Sequence, residues 1–402
     1  MTQVVSRPAA PVDPTRWPDV AVVPRARLRG RIAAALLDRV ADRLGLLAGP
    51  GPTLQLRDQE AFCRRLGRDG LIGFGESYQA GEWDSEQLPE VLGVLAAHAD
   101  ALVPRRLQWL RRFYVARHPR ADANDRDGAR SNIHRHYDLS NELFALFLDD
   151  TMTYSSGLFD GPASWENLAE AQHRKIDRLL DATGVGPGTR VLEIGTGWGE
   201  LAIRAARRGA VVRSVTLSSE QRDLALRRAA AAGVDVTVDL MDYRDVRGEY
   251  DAILSVEMIE AVGEKYWPTY TAALDALLAP GGRIGIQAIT MRHDRMVASR
   301  YTYTWIHKYI FPGGLIPSLP ALSAAFGRTR LRILDTFAFG PHYADTLKLW
   351  RARFLDRAGE LARLGFDDTF RRTWNLYLAY SEAGFASGYL DVHQLVLGKA
   401  ER

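Results

Sequence analysis

The chain has 402 residues, 47% hydrophobic and 25% charged, with a formal net charge of +3. That length suits two domains, and the near-neutral balance excludes a charge-driven nucleic-acid binder as a whole. A single cysteine, Cys63, excludes an internal disulfide and a cysteine-based zinc site and suits a reducing cytoplasm.

No signal-peptide core opens the sequence, and no apolar run reaches the length of a membrane span. A cytoplasmic protein without a metal site is expected. Residues 1–25 are rich in proline and small side chains and are predicted to be poorly ordered. From Arg27, RLRGRIAAALLDRVADRLGLL spaces apolar residues at a helical period with arginines between them, which predicts an amphipathic helix ending near Gly49–Gly51. TLQLRD reads as a short strand, GLIGFGESYQAGEW as a glycine-rich loop, and a helix is predicted from Ser85. Residues 104–120, PRRLQWLRRFYVARHPR, hold six arginines and no acid. That run suits a helix on the anionic inner face of the cell membrane, or an interdomain helix with solvated arginines, better than a nucleic-acid track. The polar stretch 118–132 marks a boundary between a smaller α+β domain, 26–125, and a larger domain, 126–402.

In the larger domain, strand-like runs occur at 190–194, 211–217, 234–240, 251–256, 283–289, 331–337 and 392–398, with helical patterns between nearly all of them. Such alternation predicts parallel strands joined by crossover helices, hence a doubly wound α/β sheet of seven strands. The last two strands carry long helical insertions.

The first of these runs leads into VLEIGTGWGELAIRAA. Gly195, Gly197 and Gly199 stand where a strand turns into a helix, and a backbone without Cβ atoms lets a ligand approach the free N–H groups there. The spacing is not the dinucleotide pattern G-x-G-x-x-G, since Glu200 takes the last place. Glu193, just before the turn, would suit a cationic ligand better than a pyrophosphate. A tight turn without a ligand is the plain alternative. The form E-x-G-x-G-x-G resembles motif I of the S-adenosylmethionine-dependent methyltransferases. That resemblance implies ribose and methionine contacts at the second strand end, around Thr216, Leu217 and Gln221. It also implies adenine contacts at Asp242, with Tyr243 against the ring, and a further contact at Ser255. Thr216 stands where an acidic residue is usual.

HYDLSNELFALFLDDTMTYSSGLF, VTLSSEQ, DYRD, SVEMIEAVGEKYWPTY, KYIFPGG and FGPHYADTLKLW together resemble the cyclopropane-fatty-acyl-phospholipid synthases. FGESYQAGEWDSEQL is similar to that family's N-terminal signature. The resemblance implies methyl transfer from S-adenosylmethionine to the cis double bond of a phospholipid acyl chain through a carbocation, at a peripheral membrane surface. Tyr154 and Ser155 would close over the methionine end of the cofactor, and His136 is either a structural cap or a pocket residue. In many relatives bicarbonate serves as the base. Its glutamate and tyrosine correspond to Glu260 and Tyr343, but Ser156 replaces its cysteine and Gln287 its histidine. An anion is therefore expected to be held less firmly, or Glu260 itself is the base.

Ring closure requires a base beside the new methyl, and a methylene branch requires a hydride shift as well. The resemblance allows either product, with weak bicarbonate dependence and a substantial 10-methylene fraction expected. A flavin reductase would be the partner that converts such a branch to a 10-methyl chain. A homodimer is left open. The alternatives are a dinucleotide-dependent reductase, disfavoured by position 200, and a relative that binds cofactor and lipid without forming a ring.

Overall fold

The computed structural model describes residues 11–46, 53–98, 119, 128 and 140–400. His136, the 104–118 run and most of the 118–132 boundary lie outside the described residues. Two compact units emerge, and each takes its described residues from more than one stretch of chain. The first joins 11–98 to Thr302–Ile310 and Phe354–Ser387, so part of what reads as insertion in the larger domain packs here.

This first unit is helical around one short antiparallel pair, β1 (Gln55–Leu56) and β2 (Trp83–Asp84). Residues 11–25 are partly anchored, against the expectation of disorder. Arg65 is buried, and its guanidinium donates to Glu82 at 2.8 Å and to the carbonyls of Asp19 and Val20 at 3.1 and 2.6 Å. The first long helix, Arg27–Leu44, stops earlier than the pattern suggested, where Gly45 turns left-handed at φ 65°. The predicted glycine-rich loop is instead a helix, Leu71–Gln79. Its glycines serve close packing. A Cβ on Gly73 would lie 2.1 Å from the Arg65 carbonyl oxygen, and one on Gly75 would lie 2.2 Å from the Trp305 ring.

The second unit is built on a seven-stranded sheet. Its strands are β3 (Arg190–Ile194), β4 (Val211–Thr216), β5 (Thr237–Leu240), β6 (Tyr250–Val256), β7 (Leu278–Met291), β8 (Leu331–Ala338) and β9 (Leu390–Lys399). They lie in the order β5-β4-β3-β6-β7-β9-β8. All seven predicted strands are present, but not all are parallel: β9 runs antiparallel to both β7 and β8. The chain re-enters from the long Asp368–Ala386 helix between two strands already in place, a connection that alternation alone does not reveal.

Side chains alternate across the sheet. Leu192, Ile194, Ile253, Ile284 and Ile286 fill one core; Val191, Val212, Ala252 and Leu254 fill the other. Both faces are thus covered, as in a doubly wound sheet. The carboxyl ends of β3, β4, β5 and β6, with the segments that follow them, carry most of the residues singled out above.

Candidate active site

The turn after β3 is bare in a graded way. Gly195, Gly197 and Gly199 all have positive φ, at 96°, 53° and 91°. A Cβ on Gly197 would meet nothing within 4 Å, and one on Gly195 only the Met258 side chain at 3.6 Å. Those two leave room for a ligand against the backbone. At Gly199 a Cβ would sit 2.9 Å from that of Ala225, so this glycine serves the approach of the Ser219–Ala231 helix rather than a ligand.

The other expected cofactor residues stand at or after the ends of β3, β4, β5 and β6, with the following partners within the protein. Glu193 faces the core, where Ser214 donates to it at 2.5 Å, and burial pushes its pKa up to about 8. Burial thus favours the neutral carboxyl over the carboxylate at this position. The Thr216 hydroxyl donates to Gln221 Oε1 at 3.1 Å, and Ser218 caps the following helix; Leu217 is half-buried between them. Asp242 is gripped by Arg244 through Nε at 2.8 Å and Nη2 at 2.6 Å. Tyr243 packs edge-on to Tyr270, with ring centroids 5.3 Å apart. The Ser255 hydroxyl donates to the Ile194 carbonyl at 3.1 Å and ties β6 to β3.

Tyr154 lies in an aromatic cluster with Phe144 at 5.1 Å and Trp350 at 5.4 Å, and Trp198 of the glycine turn stands 4.8 Å from Phe144. Beside it, Ser155 and Ser156 are buried. Lys175, from the Leu168–Ala182 helix, is buried too; its ammonium donates to Ser155 Oγ and to the Ser156 carbonyl. Burial lowers its pKa to about 8, while the charges of Glu257 and Asp149 oppose that shift.

Three of the four residues expected to hold an oxyanion do come together, but around a carboxylate of the chain itself. Gln287 Nε2 donates to Glu257 Oε1 at 2.8 Å, the Tyr343 hydroxyl donates to Oε2 at 2.6 Å, and the Ser156 N–H donates to Oε1 at 3.4 Å. The Ser156 hydroxyl itself donates elsewhere, to the Gly157 carbonyl at 2.9 Å. Burial raises the Glu257 pKa, and Lys175, Tyr343, Gln287 and Ser156 pull it back down.

Sequence reasoning missed both Glu257 and Lys175. Glu257 has φ 51°, which costs a non-glycine residue of order 1–3 kcal/mol and is held by its N–H donating to the Gln287 carbonyl at 2.7 Å.

Glu260, which the resemblance made the glutamate of this cluster, has another setting. Its Oε1 accepts the Ile289 N–H, and its buried Oε2 has no hydrogen-bond partner. Burial, then the nearby Glu257 charge, raises its pKa to about 8. Burial thus raises the pKa of both carboxyl groups, three residues apart; they differ in their partners, since Glu257 accepts from three donors and Glu260 from one.

The strand order and the open glycine turn at the end of β3 define a class I S-adenosylmethionine-dependent methyltransferase. The chain belongs to the mycolic acid cyclopropane synthetase family, whose profile matches residues 124–395.

It is 56% identical over 413 residues to the tuberculostearic acid methyltransferase UfaA1 of Mycobacterium tuberculosis, covering 97% of each chain. It is 32% identical over 372 residues to the cyclopropane-fatty-acyl-phospholipid synthase of Escherichia coli, covering 92% of this chain and 93% of that one. Among solved structures, the cyclopropane synthase MmaA2 from Mycobacterium tuberculosis superposes with a TM-score of 0.62 at 30% identity, over 67% of this chain and 98% of its own. The mycolic acid cyclopropane synthase CmaA1, crystallised with SAH and CTAB, matches at the same TM-score, identity and coverage.

Proposed function

We propose that this methyltransferase places the methyl carbon of S-adenosylmethionine on the cis double bond of a phospholipid acyl chain and releases it as a methylene branch. In this reading Glu257 is the proton acceptor. The supporting observation is that Ser156, Gln287 and Tyr343 all donate to Glu257. A bicarbonate ion placed there would compete with a carboxylate for the same donors and be repelled by it. The chain's own carboxylate stands in for the external base.

Bound at the turn after β3, S-adenosylmethionine supplies an electrophilic methyl. The π electrons of the alkene form the new carbon–carbon bond, and the electron pair of the broken S–CH3 bond stays on sulfur. Positive charge remains on the adjoining chain carbon. Tyr154 and Trp350 offer aromatic faces that stabilise such a charge and keep water away.

A hydride then moves from the methyl-bearing carbon to its neighbour, which puts the charge on the more substituted centre. Glu257 takes a proton from the methyl, and the C–H pair becomes the exocyclic double bond. Ring closure would take the same proton before the hydride moves. Three donors fix Glu257 in place, whereas a free ion can follow the methyl, so the hydride shift gains time. The Lys175 charge opposes the burial that favours the neutral Glu257 carboxyl, and its ammonium pins the Ser155–Ser156 segment.

A methylene product is also the substrate a flavin-dependent reductase needs to make a methyl branch, which fits the likeness to a tuberculostearic acid methyltransferase.

Mass spectrometry of fatty acids from cells expressing the protein tests the product. Methylene-branched chains are expected, and purified enzyme stripped of bicarbonate should keep its rate. Glu257→Gln should lower turnover by roughly 10²–10⁴-fold, the range for a lost acid–base group, with cofactor affinity nearly unchanged. Cyclopropane rings alone, formed only with bicarbonate, would overturn the assignment.

A further inference from the structure

The Arg27–Leu44 helix carries an exposed aliphatic stripe. Its small residues Gly30, Ala33 and Ala41 are buried. They lie toward the Gln59–Asp69 helix, which approaches so closely that a Cβ on Gly67 would stand 2.5 Å from the Arg29 carbonyl oxygen. Three of its large aliphatic residues point the other way, while Leu37, Val40 and Leu44 are partly buried. Leu28, Ile32 and Leu36, each four apart and hence on one stripe, are 73%, 57% and 53% exposed. Val22, just before the helix, is 62% exposed as well. A helix that only had to complete a core would not leave three large aliphatic residues exposed on one stripe.

The charge around the stripe is one-sided. Arg25, Arg27, Arg29, Arg31, Arg39 and Arg43 are exposed, against the exposed acids Asp38 and Asp42. A partner for this face must offer an apolar interior behind a negatively charged surface. A second copy of the same face would set arginines against arginines, which opposes a symmetric contact. An anionic lipid bilayer meets both requirements, since aliphatic side chains enter the acyl boundary while guanidinium groups reach phosphates.

We infer that the Arg27–Leu44 helix is a membrane-docking face that lies in the plane of an anionic phospholipid surface. The inference rests on the phospholipid reading above, because that substrate is delivered from such a surface.

Co-sedimentation with phosphatidylglycerol vesicles and with phosphatidylcholine vesicles tests it on the full chain. Wild-type protein should prefer the phosphatidylglycerol vesicles, with binding weakened by salt. The combined variant Leu28→Ser, Ile32→Ser and Leu36→Ser alters only exposed positions, and unchanged S-adenosylmethionine affinity checks its fold. It should lose at least tenfold in vesicle binding and in turnover on vesicles. Its turnover on the same phospholipid in detergent micelles should stay within twofold of wild type. Vesicle binding equal to wild type would overturn the proposal. So would a dimer that the substitutions dissociate while vesicle binding persists. Wild-type protein that binds vesicles through this helix but methylates no lipid would uphold the docking face and refute the substrate reading instead.

Discussion

The turn after β3 and the cluster at the end of β6 stand at neighbouring strand ends of one sheet and are built on opposite plans. The turn binds by omission: backbone in left-handed conformations, with nothing within 4 Å of where a Gly197 side chain would begin. The cluster binds by completion, because each donor aimed at its centre already has an acceptor in Glu257. An open, bare site selects a ligand by shape and is sensitive to any added atom. A site whose donors are already engaged is sensitive to any removed group.

The largest effect should come from filling the turn. Gly197→Val places a β-branched residue at φ 53° and pushes a side chain into the open space. Calorimetry should show S-adenosylmethionine affinity lost by at least a hundredfold, in a protein whose melting transition persists. Retained affinity would break the contrast at its first term. The matching deletion in the cluster is Tyr343→Phe, which removes a 2.6 Å bond to a carboxylate. Hydrogen bonds to charged groups contribute about 1.5–3 kcal/mol, so turnover should fall by about 10–100-fold with cofactor affinity intact.

The two plans also explain what could be read in advance. The glycine turn is local: strand, turn and helix start lie within sixteen consecutive residues, and the pattern carries its own meaning. The seven strands were legible for the same reason, through their apolar runs. The cluster draws on residues 156, 175, 257, 287 and 343, and only tertiary structure decides which carboxylate they surround. SVEMIE offers two glutamates three apart, and nothing in that string says that the first is ringed by donors while the second keeps a bare oxygen. The reversal of β9 and the helical form of Leu71–Gln79 escaped likewise, one through a long-range connection and the other because glycines needed for close approach look like turn glycines.

Lys175 sharpens the comparison, because this buried cation ties down the Ser155–Ser156 segment beside the cluster. With its pKa near 8, it loses its charge as pH rises through that value, and Glu257 then loses its counter-charge. Wild-type turnover should therefore decline above about pH 8. Lys175→Met should lower turnover by about tenfold at pH 7 and remove that decline, which a pH profile of kcat would record. The sign for stability is opposite. A base whose folded pKa is depressed gains in folding free energy as pH climbs from about 8 toward its unfolded value near 10.4, because the unfolded chain then holds the extra proton. A variant that kept the wild-type alkaline limb would place the titration elsewhere.

Glu260 should matter least to turnover, although the resemblance pointed to it. With a pKa of about 8 it is mostly protonated at pH 7, and glutamine reproduces a neutral side chain of the same shape. Glu260→Gln should therefore lose less than tenfold in turnover at pH 7; a loss as large as that of Glu257→Gln would make the two carboxyl groups equal partners. The distinguishing signal is stability. An acid whose folded pKa is raised stabilises the fold fully below its unfolded value, near 4.3. That contribution is lost progressively as pH rises toward 8, because the folded state holds the proton that the unfolded chain releases. Glutamine has no such proton to lose. The melting temperature of Glu260→Gln should thus gain on that of wild type between pH 5 and pH 8 and level off above. A difference that stays flat across that range would mean that the Glu260 carboxyl is not held neutral by its surroundings.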